Sequence, residues 1–307
     1  MHHFIINPKS RTGRGIKIWT IVKQELDTAK VPYTYHFTEY KFHASKIAEE
    51  ICREYSGIKN IVVLGGDGTV NEVINGIHDY DEVLLGYIPT GSSNDLARSL
   101  VLSKDSIQNL KHILSPKEFK YIDIGEITIQ HTGEKRRFAV STGMGFDAAI
   151  CEESFKSNLK TVLNKYGLGK LTYIIIALKQ LIACPFMNGK VIIDGIQTKS
   201  YKNVLMITSM IQRFEGGGMK IAPAANPSDG KLSICIVHGL SRAKILFLLP
   251  TLLIGKHVHF KGVDTFDCET LGIQLEHAAG VHVDGEYPGE FQELQVICLP
   301  KQLRIII

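Results

Sequence analysis

Several features are missing from this sequence, and each absence excludes a class of protein. The six cysteines (Cys52, Cys151, Cys184, Cys235, Cys268 and Cys298) form no close pairs. A zinc-binding framework is therefore excluded, and thiols so scattered in a long chain read as free cysteines of a reducing cytoplasm. No uninterrupted apolar run reaches the ~18 residues of a membrane span. The nearest, "YIIIALKQLIACPF" and "AKILFLLPTLLIG", are broken by Lys179 and Pro250. The chain opens on "HHFIINP", a strand, with no cationic stretch leading into an apolar signal region, so a cytoplasmic protein is expected. A strong excess of one charge is also lacking. The net charge of +4 permits anionic partners such as nucleotide or acidic lipid and is too small to indicate nucleic acid. No repeat or low-complexity segment is visible.

What is present describes a globular protein: 307 residues, 44% hydrophobic and 21% charged, enough for one large or two ordinary domains. The first 120 residues alternate strand and helix signals. "HFIINP", "YTYHFT", "NIVVLGG" and "LLGYIP" read as strands; "GIKIWTIVKQELDTAK" reads as a helix with Ile16, Trp19, Ile21 and Leu26 on its apolar face. "ASKIAEEICREY", "TVNEVINGI" and "SNDLARSL" are the other helical signals. This alternation predicts an α/β domain with a parallel-rich sheet. After Tyr121 short, often alternating runs separated by turn residues predict a β-sandwich with inserted helices near 168–183 and 242–254. The expected division is 1–121 and 122–299, with residues 300–307, "LRIII" among them, a candidate strand returning to the first domain.

Three loops in the first part suit phosphate. Gly65, Gly66 and Gly68 follow a strand and precede a helix, where main chain and free helix amides can approach an anion. Asp67 would repel phosphates unless Mg²⁺ stood between them, since a hard cation takes both carboxylate and phosphate oxygens. Thr90, Gly91, Ser92 and Ser93 repeat the layout before a helix capped by Asn94 or Asp95, and "NPKSRTGRG" places Lys9, Arg11 and Arg14 after the first strand. Each alone equally describes an ordinary turn. All three after strands of one sheet point to a nucleotide.

"NPKSRTGRG", "GGDGTVNEVING" and "PTGSSNDLAR" resemble the nucleotide-contacting segments of the diacylglycerol kinase-like lipid kinases. The resemblance continues through "VSTGMGFDA", "GGGMKIAPAANPSDGKL", "LLIGKH" and "VHVDGEYPGE", nearly the whole chain in order. It implies ATP- and Mg²⁺-dependent phosphorylation of a lipid alcohol, foremost diacylglycerol to phosphatidic acid, in a cleft between the two domains. It places ATP contacts on Asn7, Pro8, Lys9, Ser10, Arg11, Thr38, Gly65, Gly66, Asp67, Gly68, Thr69, Val70, Asn71 and Ser92. Ser92 stands where the family usually has Thr and keeps the hydroxyl. Glu286 is implied as the general base, with Asp67 its rival. A structural magnesium site falls on the "NPSDGKL" turn, with the Asp229 carboxylate and mainly main-chain oxygens of Asn226 and Lys231.

Between Ser154 and Lys190 there are six lysines and no acidic residue (Lys156, Lys160, Lys165, Lys170, Lys179 and Lys190). That stretch is either a core helix with a wet lysine face or a peripheral contact with the anionic inner face of a membrane. The histidines, His43, His257 and His282 among them, are dispersed, and none is assigned a metal. A homodimer is left open. The alternatives are an NAD kinase, which shares "GGDGT", and a non-catalytic lipid- or nucleotide-binding regulator, which would have no need of both Asp67 and Glu286.

Overall fold

The fold, a computed structural model, describes residues 1–130, 132–156 and 169–307. In the first part β1 (His2–Ile6), β2 (Tyr33–Phe37), β3 (Lys59–Gly65) and β4 (Val83–Pro89) pair in parallel in the order β2-β1-β3-β4. Phe4 to Ile6 and Ile61 to Leu64 are fully buried, the continuous apolar run expected of strands covered on both faces. Helices α1 (Ser10–Thr28) and α5 (Ser106–Leu114) cover one face. Helices α2 (His43–Glu54), α3 (Asp67–Gly76) and α4 (Asp95–Ser99) cover the other.

On α1 the buried face is Ile18, Trp19, Val22 and Leu26, whereas Ile16 and Ile21 are exposed. The predicted face was therefore half wrong. Both registers contain Trp19 and Leu26, and the ring of Trp19 settles the choice by packing 5.4 Å from Phe4 of β1.

Parallel pairing does not extend far. Among the described residues thirteen strands form one hydrogen-bonded sheet, mostly antiparallel, so the expectation of a parallel-rich sheet holds only for the four strands just described and the end of the last strand. The remaining strands are β5 (Phe119–Ile129), β6 (Lys135–Phe138), β7 (Ser141–Gly145), β8 (Met187–Ile193), β9 (Gln197–Met210), β10 (Leu232–His238), β11 (Val263–Cys268), β12 (Thr270–Val283) and β13 (Glu286–Ile306). The long strands β9 and β12 divide their neighbours. Each pairs with β8 through its first half and with β7 through its second, which folds the sheet around a core of Phe138, Met144, Ile207, Leu271 and Val296. Helices α6 (Phe146–Lys156), α7 (Gly169–Ala183) and α8 (Arg242–Leu248) belong to this part. Lys160 and Lys165 of the lysine-rich stretch lie outside the described residues. Among the described residues no helix is long and apolar enough to cross a membrane.

β13 ties the parts together. It runs antiparallel to β12 and β5, then sets Ile305 opposite Leu85 of β4. Ile305 is fully buried in the core shared with β1, β3 and β4. Truncating such a side chain removes transfer free energy and leaves a cavity. Ile305→Ala is expected to cost about 2–5 kcal/mol of stability in denaturant titration.

Candidate active site

The carboxyl ends of β1, β2, β3 and β4 all lie along one edge of the sheet, so residues 7–13, 38–42, 66–69 and 90–94 gather there, where open α/β sheets bind ligands. Hydrogen bonds knit these loops together. Asn7 Nδ2 donates to Thr69 Oγ1 (3.2 Å), Ser10 Oγ and Thr90 Oγ1 are 2.6 Å apart, and Thr90 N donates to Gly65 O at 2.7 Å. Thr38 N donates to Ile6 O at 2.8 Å, which holds the end of β2 beside β1. Gly66 and Gly91 are in van der Waals contact: a Cβ on Gly91 would stand 2.6 Å from Gly66 Cα. Glycine is needed here because two main chains meet without side chains between them.

The predicted nucleotide residues divide into two groups. Lys9, Arg11 and Ser92 are exposed along the edge, with Arg11, Thr12 and Gly13 in consecutive left-handed conformations (φ 44°, 58° and 85°). Asn7, Pro8, Thr38, Gly66 and Gly68 are partly exposed beside them. Ser10, Gly65, Thr69, Val70 and Asn71 are buried and bind the edge together from beneath.

Asp67 does not project outward. Its Oδ2 accepts Asp95 N (2.9 Å), its Oδ1 accepts Leu96 N (3.3 Å), and the Tyr87 hydroxyl approaches Oδ1 at 3.5 Å. The cap of α4, expected from Asn94 or Asp95, comes instead from a carboxylate 28 residues earlier in the chain. Burial pushes the Asp67 pKa up to about 7, with the charges of Asp95 and Asp284 adding to the rise. Asp95 is itself buried, accepts Gly217 N at 2.8 Å through Oδ2, and has its pKa raised, first by burial.

The second part supplies the opposing wall. In the turn between β12 and β13, Asp284 (φ 48°) accepts four N–H groups. These are Asn71 Nδ2 (2.9 Å) and Ala139 N (2.8 Å) on Oδ2, and Val140 N and Ser141 N (2.9 Å each) on Oδ1. Burial raises its pKa, and the four donors work against that rise. Two residues on, the Glu286 carboxylate hangs over the glycine turn: a Cβ on Gly68 would lie 3.6 Å from its Oε1. Glu286 Oε2 is 2.6 Å from Lys41 Nζ. Asp67 and Glu286, 219 positions apart, are thus brought to one turn. Lys41, in the loop before α2, gave no motif signal.

Behind this turn the fold assembles a group that the sequence reading missed. His282 Nε2, fully buried, lies 3.2 Å from both Asp147 Oδ2 and Glu215 Oε1. Burial disfavours charge on the imidazole, yet the Glu215 and Asp147 carboxylates raise its pKa well above the usual range. The trio would hold a cation only once His282 had given up the proton that pairs it with the two carboxylates. Only "GFDA" and "HVDGE" hinted at its members, and nothing in the sequence joined them.

At the predicted magnesium turn, Asn226, Asp229 and Lys231 are exposed. Asp229 Oδ1 accepts Lys231 N (3.1 Å), Asn226 Oδ1 accepts Ser228 N (3.2 Å), and Gly230 N donates to Asp123 Oδ2 (2.7 Å). Asp123 has its pKa raised by burial and by the charge of Asp229. The two carboxylates are of the type a hard divalent cation takes.

Comparison with known proteins accords with this geometry. The family model for the diacylglycerol kinase catalytic domain matches residues 2–127, and that for the YegS C-terminal NAD kinase beta sandwich-like domain matches residues 140–307. The Bacillus subtilis protein named "Putative lipid kinase YtlR" is 31% identical, covering 98% of this chain and 98% of its own length. A diacylglycerol kinase of the same organism is 27% identical over 94% of this chain and 92% of its own length. A crystal structure of a Bacillus anthracis diacylglycerol kinase, at 19% identity, shares the fold with a TM-score of 0.70, over 99% of this chain and 96% of that one. The protein is therefore a lipid kinase. More narrowly, the chain belongs to the diacylglycerol kinase-like lipid kinase family.

The Asp67 pKa carries a testable consequence. Its folded value near 7 lies above the ordinary 3.8, so the folded state takes up a proton that the unfolded state releases. That contribution to stability is complete below about pH 4 and is lost as pH rises to about 7. In Asp67→Asn the nucleotide-free protein is expected to lose this dependence. Thermal melting between pH 4 and 7 should show a shallower fall in Tm for the variant than for the parent.

Proposed function

We propose that the enzyme transfers the γ-phosphoryl group of ATP to the hydroxyl of diacylglycerol, giving phosphatidic acid and ADP. Residues 1–121 hold the nucleotide and residues 122–299 the lipid, with 300–307 returning to the first unit. The observation that carries the reading is the Glu286 carboxylate poised over Gly68, at the strand-end edge where the phosphate-suited loops converge.

On this reading the exposed Lys9 and Arg11 meet phosphate oxygens, while the Gly66–Gly68 and Gly91–Ser92 turns offer main chain without side-chain obstruction. Glu286 accepts the proton of the lipid hydroxyl as its oxygen forms a bond to the γ-phosphorus and the bond to the ADP oxygen breaks. Lys41 sits beside that base and neutralises charge where donor and acceptor meet. Asp67 is less suited to the base role, because both its oxygens already accept main-chain amides.

Mg²⁺ fits the donor set at two places. The Asp67 and Asp95 carboxylates lie beside the glycine turn, where the charge of Asp95 adds to the rise in the Asp67 pKa. Asp229 stands by Asp123, with the main chain of Asn226 and Lys231 adjacent. When bound, the metal at the first place would neutralise phosphate charge; at the second it would brace the turn.

The direct test is transfer of labelled phosphate from ATP to detergent-dispersed diacylglycerol, sphingosine and NAD. Diacylglycerol should accept it in preference to the others; absence of transfer to any lipid would remove the reading. Since a general base contributes roughly 10²–10⁴-fold, Glu286→Gln should lower kcat by that range with nucleotide affinity unchanged. Asp229→Ala is expected to abolish a Mg²⁺-dependent rise in Tm while leaving ATP affinity intact, as measured by thermal melting and calorimetry.

A further inference from the structure

The two apolar runs too short to cross a membrane lie side by side on the β-rich part. Arg242, at the start of α8, joins them: its guanidinium donates to the carbonyls of Leu181 and of Cys184 (the latter at 2.9 Å) and lies 4.9 Å over the Phe186 ring. Leu181, Ile245, Leu248 and Leu252 close a common core beneath. Surface helices with one face so buried ordinarily turn a polar face outward.

Here the outward faces are apolar. On α7, Ile175, Leu178 and Ile182 share one side at helical spacing and are 42%, 41% and 76% exposed. Phe247 of α8, Leu253 of the following 3-10 turn and Ile254 just after it are 79%, 62% and 61% exposed. Cations outnumber carboxylates around them: Glu153 of α6 pairs with Lys179 of α7 at 2.6 Å, and the rest of the border is basic. Residues 241–262 include exposed Lys244, Lys256 and Lys261 and no carboxylate, and residues 169–193 also have none. The segment is firmly seated, with buried His257 Nε2 3.0 Å from Ile221 O and Lys220 N donating to Leu252 O at 2.8 Å.

An apolar face bordered mainly by cations complements an anionic lipid leaflet, which takes the apolar side chains at the acyl boundary and the lysines among its headgroups. A second copy would set the same cations against each other. We infer that α8, the 3-10 turn after it and the outward stripe of α7 form the surface on which the enzyme docks to an anionic membrane. The inference rests on the lipid acceptor proposed above, since docking brings the enzyme to a hydroxyl held in the bilayer.

The test is co-sedimentation of the full chain with vesicles of phosphatidylglycerol and phosphatidylcholine, against phosphatidylcholine alone. The parent should bind the anionic vesicles, less so at high salt. Phe247→Glu with Ile254→Glu, both at exposed positions, should weaken binding roughly tenfold or more and retain transfer to a dispersed short-chain diacylglycerol. Lys244→Glu with Lys256→Glu should lose roughly fivefold per lysine on anionic vesicles only. No vesicle binding by the parent, or unchanged binding by the first variant, would overturn the inference. So would light scattering that shows the variant only splitting a dimer. Vesicle binding as expected, without transfer to the dispersed lipid, would leave the surface standing and remove the acceptor.

Discussion

The two parts of the chain meet at the carboxylate of Asp284. Four N–H groups converge on it, one from Asn71 of α3 and three from consecutive amides entering β7. Left without that acceptor, four donors would be buried together unpaired, an arrangement that costs far more than any one bond contributes. The left-handed backbone of Asp284 is held by the same bonds, and it aims the next turn so that Glu286 overlies Gly68. The position of the proposed base is thus set from a residue that has no part in the chemistry.

A second carboxylate does the corresponding work within the first part. Asp67 ends the β3 turn and caps α4, which fixes the β4 turn beside it. The contact between Gly66 and Gly91 brings two bare stretches of main chain together, and Asp67 keeps them in register. A residue that reads as a ligand for an external cation is thus also internal scaffolding. Its raised pKa reflects burial first and then the charges of Asp95 and Asp284, a negative charge that a divalent cation would offset.

The parallel strands were legible because Phe4 to Ile6 and Ile61 to Leu64 are unbroken apolar runs, and the glycine turn was legible because Gly65, Gly66 and Gly68 are local. The limits of the reading are equally physical. Ile16 and Ile21 fit a helical stripe as well as Ile18 and Val22 do, and only packing on Phe4 separates the two. What was not legible is that the parallel strands and the antiparallel ones after Tyr121 join in a single sheet, because that junction is the pairing of β13 with β5 and β4 across most of the chain. Asp147, Glu215 and His282 are 135 positions apart at their ends, and no spacing rule joins them. Lys41 is one lysine among many until the fold sets it 2.6 Å from Glu286.

Lys41 also bears on which carboxylate serves as base. A base must exchange its partner for the substrate hydroxyl, so what holds it decides its fitness. The partners of Asp67 are main-chain amides of a helix start, which cannot withdraw without unwinding α4. Glu286 is held by the end of a long, half-exposed side chain that can swing away at little cost. Such an ammonium, released from the carboxylate by an arriving phosphate, would leave the base free at the moment the donor is in place. On the proposed function, these contacts suit Glu286 to the proton and Asp67 to support.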